Sequence, residues 1–143
     1  MASCTFFGHR LVESGLATKL LSTIEDMILH KNVTVFYVGN HGEFDSMARN
    51  VLRKIKSDYS YIKYYVVLAY LPSKKREFDD DWDETIFPEG LETVPKRLAI
   101  IKRNEWMIEK SDYVITYITH EGNASKFAKI AEKKKKQVIN ITE

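Results

Sequence analysis

Val35-Phe36-Tyr37-Val38-Gly39-Asn40-His41-Gly42-Glu43-Phe44-Asp45 is an apolar run that stops at a glycine, crosses a short polar loop and opens a helix-like stretch. The same grammar occurs twice more. Thr5-Phe6-Phe7 runs into Gly8-His9-Arg10, and Tyr113-Val114-Ile115-Thr116-Tyr117-Ile118 runs into Thr119-His120-Glu121-Gly122-Asn123-Ala124-Ser125. Continuous apolar runs of this length suit parallel strands whose two faces are both covered by helices. Working outward, strands are predicted over 3–7, 33–38, 63–71, 113–118 and 137–141, and helices over 11–30, 44–56, 96–110 and 124–136. The spacing of Leu16, Leu20, Leu21, Ile24, Ile28 and Leu29 sets the first helix; Leu98, Ile101, Trp106 and Ile108 set the third. Strand alternating with helix predicts an α/β fold: a doubly wound, mainly parallel five-strand sheet with helices on both faces. In such a sheet the strand C-termini share one edge, and ligands bind in the crevice there. Glycine lets backbone N–H groups approach a ligand, and helix N-termini favour phosphate. The three strand ends therefore predict a small phosphate-bearing ligand, a nucleotide.

Composition sets the outer limits. A chain of 143 residues reads as one domain, large enough to bury roughly 68–70% of its unfolded surface. At 44% hydrophobic and 29% charged it is ordinary for a soluble globular protein and not for a disordered one. A net charge of +2 leaves little support for nucleic acid as a partner, since that usually needs a strongly basic face. No apolar run reaches membrane-spanning length and no signal peptide is visible, so a cytoplasmic protein without a membrane partner is expected. Cys4 has no partner cysteine and reads as a buried filler. Residues 73–97 break the rhythm with an acidic stretch and two prolines. They leave a strand end, so they form either a lid or a solvated connection, with Thr85-Ile86-Phe87 able to pack back.

Each loop residue carries a functional and a plain structural reading. Arg10 has a planar fork suited to phosphate, and His9 is a polar contact or a surface residue. Gly39-Asn40-His41-Gly42 is neither a Walker A loop nor a dinucleotide fingerprint. Asp45 either caps the next helix or accepts from a ribose, and Asn40 leans towards ligand. Arg103 and Asn104, beside Trp106, serve a purine or ribose or else form an exposed helix face. Gly122, Asn123 and Ser125 open a helix as a phosphate seat or a cap. Ligand contacts are thus expected from Gly8, His9, Arg10, Gly39, Asn40, Gly42, Asp45, Arg103, Asn104, Gly122, Asn123 and Ser125. Lys133 to Lys136 read as a solvated helix terminus. His9, His30, His41 and His120 lack metal-ligand spacing, so neither a metal nor a cofactor is expected.

Taken in order, Cys4 to Arg10, Phe36 to Asp45, Pro88-Glu89-Gly90-Leu91-Glu92, Arg103 to Ile108, Ser111 to Val114, Gly122-Asn123-Ala124 and Val138 to Ile141 resemble the SLOG superfamily of nucleotide-binding domains, in its small stand-alone bacterial branch. The resemblance spans nearly the whole chain. It implies a Rossmann-like sheet, a nucleotide or ADP-ribose-like ligand at the glycine loops, and a homodimer. Some members cleave the N-glycosidic bond of nucleoside monophosphates. Aligned on their loop, this chain carries Gly122-Asn123 in place of paired glycines and Ala128 in place of the catalytic glutamate. That leaves Glu89 and Glu105 as candidate catalytic carboxylates and tilts the expectation towards a binding or sensing module over an N-glycosidase or deoxyribosyltransferase; a DNA-processing accessory role, by analogy with members that bind DNA, ranks last on the near-neutral charge.

Overall fold

The computed structural model describes residues 2–13, 15–71 and 84–142. In chain order they form β1 (Ala2–Gly8), α1 (Leu16–His30), β2 (Val33–Val38), α2 (Glu43–Asp58), β3 (Lys63–Val67), β4 (Glu84–Ile86), α3 (Lys96–Lys110), β5 (Tyr113–Tyr117), α4 (Asn123–Lys133) and β6 (Gln137–Asn140). A 3-10 turn at Leu91–Thr93 precedes α3. The strands lie in the order β4-β3-β2-β1-β5-β6, and every neighbouring pair is parallel.

The apolar runs become two cores, one on each side of the sheet. Helices α1 and α2 bury Leu20, Ile24, Phe44 and Leu52 against Phe6, Phe36 and Val66. Helices α3 and α4 bury Met107, Ile108, Phe127 and Ala131 against Phe7, Val67 and Val114. This is a Rossmann-like α/β sandwich. From β1 the chain lays β2, β3 and β4 to one side, then returns to lay β5 and β6 on the other. The direction of winding reverses between β1 and β5, and a crevice opens at such a switch point.

Three expectations need correction. The sheet has six strands, not five, because Glu84–Ile86 pairs with β3, Tyr65 opposite Glu84 and Val67 opposite Ile86. Two of its three side chains are exposed, so an edge strand this short leaves almost no apolar trace in the sequence. The proposed lid is divided: residues 73–83 lie outside the described residues, whereas 84–97 supply β4, a turn with Pro88 and Leu91 buried, and the start of α3. Helix α3 also turns a different face inward. Leu98 and Ile101 stay 44% and 41% exposed, while Ala99, Arg103, Met107 and Ile108 are buried.

Other readings hold. Cys4 is fully buried, and burial pushes its thiol pKa up, as befits a core filler. Lys133, Lys134 and Lys135 are exposed at the end of α4, with Lys134 paired to Glu109 at 2.9 Å. Among the described residues no helix is long and apolar enough to cross a membrane.

Gly8 ends β1 directly beneath α2. A β-carbon at Gly8 would overlap the Phe44 ring, and that ring is fully buried in the first core. Gly8→Ala is expected to lower stability by about 1–3 kcal/mol through overpacking, read by urea unfolding. Phe44→Leu in the Gly8→Ala background should restore part of that loss.

Candidate functional site

The β1, β2 and β5 ends meet as the sequence grammar requires, around a cleft of about 430 Å³. Eight of the twelve expected ligand residues line it: Gly8, His9, Arg10, Asp45, Arg103, Asn104, Gly122 and Asn123. Gly39, Asn40, Gly42 and Ser125 do not line it; they support its walls. Glu89 and Glu105 are exposed and also lie outside it, and Ala128 is buried.

Arg103 reaches the cleft from α3, yet is only 2% exposed. An arginine has five N–H donors, no acceptor and a permanent charge, so burial demands acceptors around it. The strand ends supply them. Nη1 donates to the Val67 carbonyl at 2.9 Å and to Asn40 Oδ1 at 3.2 Å, and Nε donates to Asn104 Oδ1 at 2.7 Å. Nη2 lies 3.3 Å from His41 Nδ1. Because Arg103 can only donate, Nδ1 of His41 accepts and its ring proton sits on Nε2, 3.1 Å from the Tyr70 hydroxyl. Burial, then Arg103 and Arg10, push the His41 pKa down to about 4.

Asp45 completes this network. Its side chain does not cap α2: its Oδ2 accepts the His41 backbone N–H at 3.0 Å, and the carboxylate feels the charge of Arg103. The residue as a whole is partly exposed, but its carboxylate is enclosed, and desolvation lifts its pKa to about 6 against the pull of Arg103. Asn40 and Arg103, read from sequence as ligand contacts, are therefore engaged with each other.

The loop glycines mostly make room for protein atoms. At Gly39 a β-carbon would come within 2.7 Å of Asp45 Oδ2 and 3.1 Å of the Arg103 guanidinium. Gly42 takes φ +92, in the left-handed region that favours glycine, and packs on the Arg10 backbone. There Glu43 N–H donates to the Arg10 carbonyl at 2.8 Å. Gly122 alone among these loop glycines faces open space. Its N–H is taken by Ser125 Oγ at 2.9 Å, and that hydroxyl donates back to the Gly122 carbonyl. Ser125 is thus a cap, not a free phosphate contact.

The mouth of the cleft is open and carries rings. His9 and His120 stack with centroids 3.9 Å apart and planes 8° from parallel. His9 Nε2 accepts the Thr119 N–H at 2.9 Å, which leaves its proton on Nδ1. Burial and the neighbouring His120 lower its pKa. Arg10 is exposed beside them. On the other flank, Tyr70 meets the His41 ring at 5.7 Å, and the Lys96 ammonium sits 4.9 Å over the Tyr70 ring. His41, Tyr70, Lys96 and His120 were not among the expected site residues. Both histidines directly follow strand ends, the same signal that selected His9. Lys96 and Tyr70 gave no local signal, because only the β3–β4–α3 crossover brings them together.

No protein-family model matches the chain, and no curated protein sequence does. Among solved structures it is similar to DNA processing protein A from Helicobacter pylori, described for its single-stranded DNA binding mode. Identity is 18%, the match covers 96% of this chain and 63% of that one, and the TM-score is 0.57. The chain therefore spans less than two thirds of that protein's length. At this identity the likeness shows the fold. It also corrects the functional expectation: the matched protein binds a DNA strand, so the readings as a nucleotide or ADP-ribose sensor, or a nucleotide N-glycosidase, are set aside. With them goes the expectation that nucleic acid is an unlikely partner. It rested on net charge, which averages the whole surface, whereas a strand needs only a local row of cations and rings.

Two outcomes are expected from the buried network. Arg103→Met should destabilise the fold by about 3–5 kcal/mol, since it leaves Asp45 enclosed without its counter-charge. The pH dependence should split by residue. Asp45, with its folded pKa raised from 3.8 to about 6, contributes stability that grows as pH falls through that window. His41, depressed from 6.5 to about 4, contributes stability that is lost as pH falls. The two slopes oppose each other in the native chain. Urea unfolding from about pH 4 to 6.5 should show Asp45→Asn losing stability on acidification and His41→Gln gaining it.

Proposed function

We propose that the chain binds single-stranded nucleic acid, DNA in the first instance, across the C-terminal edge of its sheet. The observation that carries this reading is the row Tyr70, His41, Arg10, His9, His120, which follows the ends of β3, β2, β1 and β5, with Lys96 from the start of α3 over the Tyr70 ring. Adjacent strands lie roughly 4.7–4.9 Å apart, so the row extends about 14 Å. A mononucleotide would occupy one part of it; a strand uses the whole. Single strands are held by cations that track the backbone and by rings on which successive bases stack. Here both alternate along one edge.

The roles follow from exposure. Arg10, exposed and forked, takes a backbone phosphate. The exposed His120, backed by His9, offers a face for one base, and Tyr70 under Lys96 offers another. Asn123 at the start of α4 receives a phosphate where the uncrowded Gly122 leaves room for it, and the cleft behind admits one base. Gly39, Asn40, Gly42, Asp45, Arg103 and Ser125 hold this surface in shape. The same proposal keeps the chain among SLOG-type Rossmann domains, with the strand in place of the small ligand that the resemblance implies.

The test is fluorescence anisotropy with a labelled single-stranded oligonucleotide over a salt series. Arg10→Ala should weaken binding and flatten the log–log salt slope by about 0.7. His120→Ala should cost about 1 kcal/mol with the slope unchanged. Absence of salt-sensitive binding by the native protein, or an Arg10→Ala protein indistinguishable from it, would overturn the reading.

A further inference from the structure

Asn104 sits at the back of the cleft, 9% exposed, on the inward face of α3. Its Oδ1 accepts from Arg103 Nε at 2.7 Å. Since Arg103 cannot accept, the amide has one orientation: oxygen towards the guanidinium, NH2 away from it. Among the described residues that NH2 donates to nothing. Nor is it sealed off without a partner, as the buried Ser111 hydroxyl is; it faces the cleft. The walls beside it are Phe7, Ile100, Met107 and Phe127, which suit the flat apolar body of a base better than a phosphate.

We propose that Asn104 is a specificity-determining residue, donating its side-chain NH2 to an acceptor on the edge of one base and so favouring keto bases over amino bases. This rests on the single-strand reading above. An asparagine with both amide atoms free pairs with adenine through a donor and an acceptor together. Here Arg103 has taken the oxygen, so only the donor is left. Uracil or thymine satisfies it with O4. Cytosine turns an N4 amino group to the same position, and two donors then face each other in a largely dry cleft. Uracil and cytosine have the same ring size, so stacking and phosphate contacts cancel in their comparison.

The experiment is competition anisotropy with equal-length oligodeoxyuridine and oligodeoxycytidine. The native protein should prefer deoxyuridine by about threefold to tenfold, the worth of one net hydrogen bond. Asn104→Asp keeps an oxygen for Arg103 Nε and removes the donor. Its added charge weakens both affinities, so the ratio is the readout, and it should fall to one or invert as the carboxylate accepts from the cytosine amino group. A wild-type measurement that needs no variant uses an oligomer of the 2-pyrimidinone deoxynucleoside, which has neither oxygen nor amino group at C4; it should bind more weakly than deoxyuridine and no more weakly than deoxycytidine. Equal binding of uracil and cytosine by the native protein, or a preference unchanged in Asn104→Asp, overturns the assignment while leaving strand binding intact. Binding of no oligomer by the native protein overturns the single-strand reading and this one with it.

Discussion

The guanidinium of Arg103 is a permanent charge, almost fully buried, at the point where the ends of β2 and β3 meet helix α3. Since it cannot lose its proton, every neighbour must arrange itself as an acceptor. Val67 gives a carbonyl, Asn40 and Asn104 give their amide oxygens, and His41 gives a ring nitrogen. These demands set the tautomer of His41 and the orientation of Asn104. They also explain Gly39, where any side chain would intrude on the Asp45–Arg103 pair. One buried charge thereby ties α3 to the loops after β2 and β3 and fixes the back wall of the cleft.

Around that wall the topology does the rest. With all strands parallel, the helices that follow them begin on one edge, and their N-terminal dipoles add there. The reversal between β1 and β5 leaves a gap beside Gly8 and Gly122 that no helix fills. Exposed Arg10, the stacked histidines and the Lys96–Tyr70 pair border it. The exposed cations there are Arg10 and Lys96, and with the ring faces they are the features on which the single-strand proposal rests.

Hydropathy misjudged two parts of the chain, for identifiable reasons. In α3 the apolar periodicity followed Leu98 and Ile101, both substantially exposed, while Arg103 and Asn104 turn inward. A helix that buries a satisfied arginine carries a hydropathy pattern that points the wrong way. β4 was missed because its pairing with β3, not its composition, makes it a strand. The glycines were rightly picked out and wrongly explained. Gly8 yields space to Phe44 and Gly39 to the Asp45 carboxylate and the Arg103 guanidinium, and none of these neighbours is adjacent in sequence.

The sequence by itself determined the α/β sandwich, five of the six strands, the four helices and the edge on which the strand-end loops gather. These follow from short-range periodicity and from the rule that parallel strands covered on both faces are apolar throughout. It also supplied eight of the residues that line the cleft. Only the tertiary structure decided what each does. Whether Arg103 is a ligand contact or a buried strut, which way Asn104 points, whether Asp45 is a cap or a counter-charge, and that Lys96 and Tyr70 join His41 in one row all depend on residues brought together from distant strands. Hydrogen-bond complementarity between such residues is a property of three-dimensional proximity, and linear spacing does not encode it.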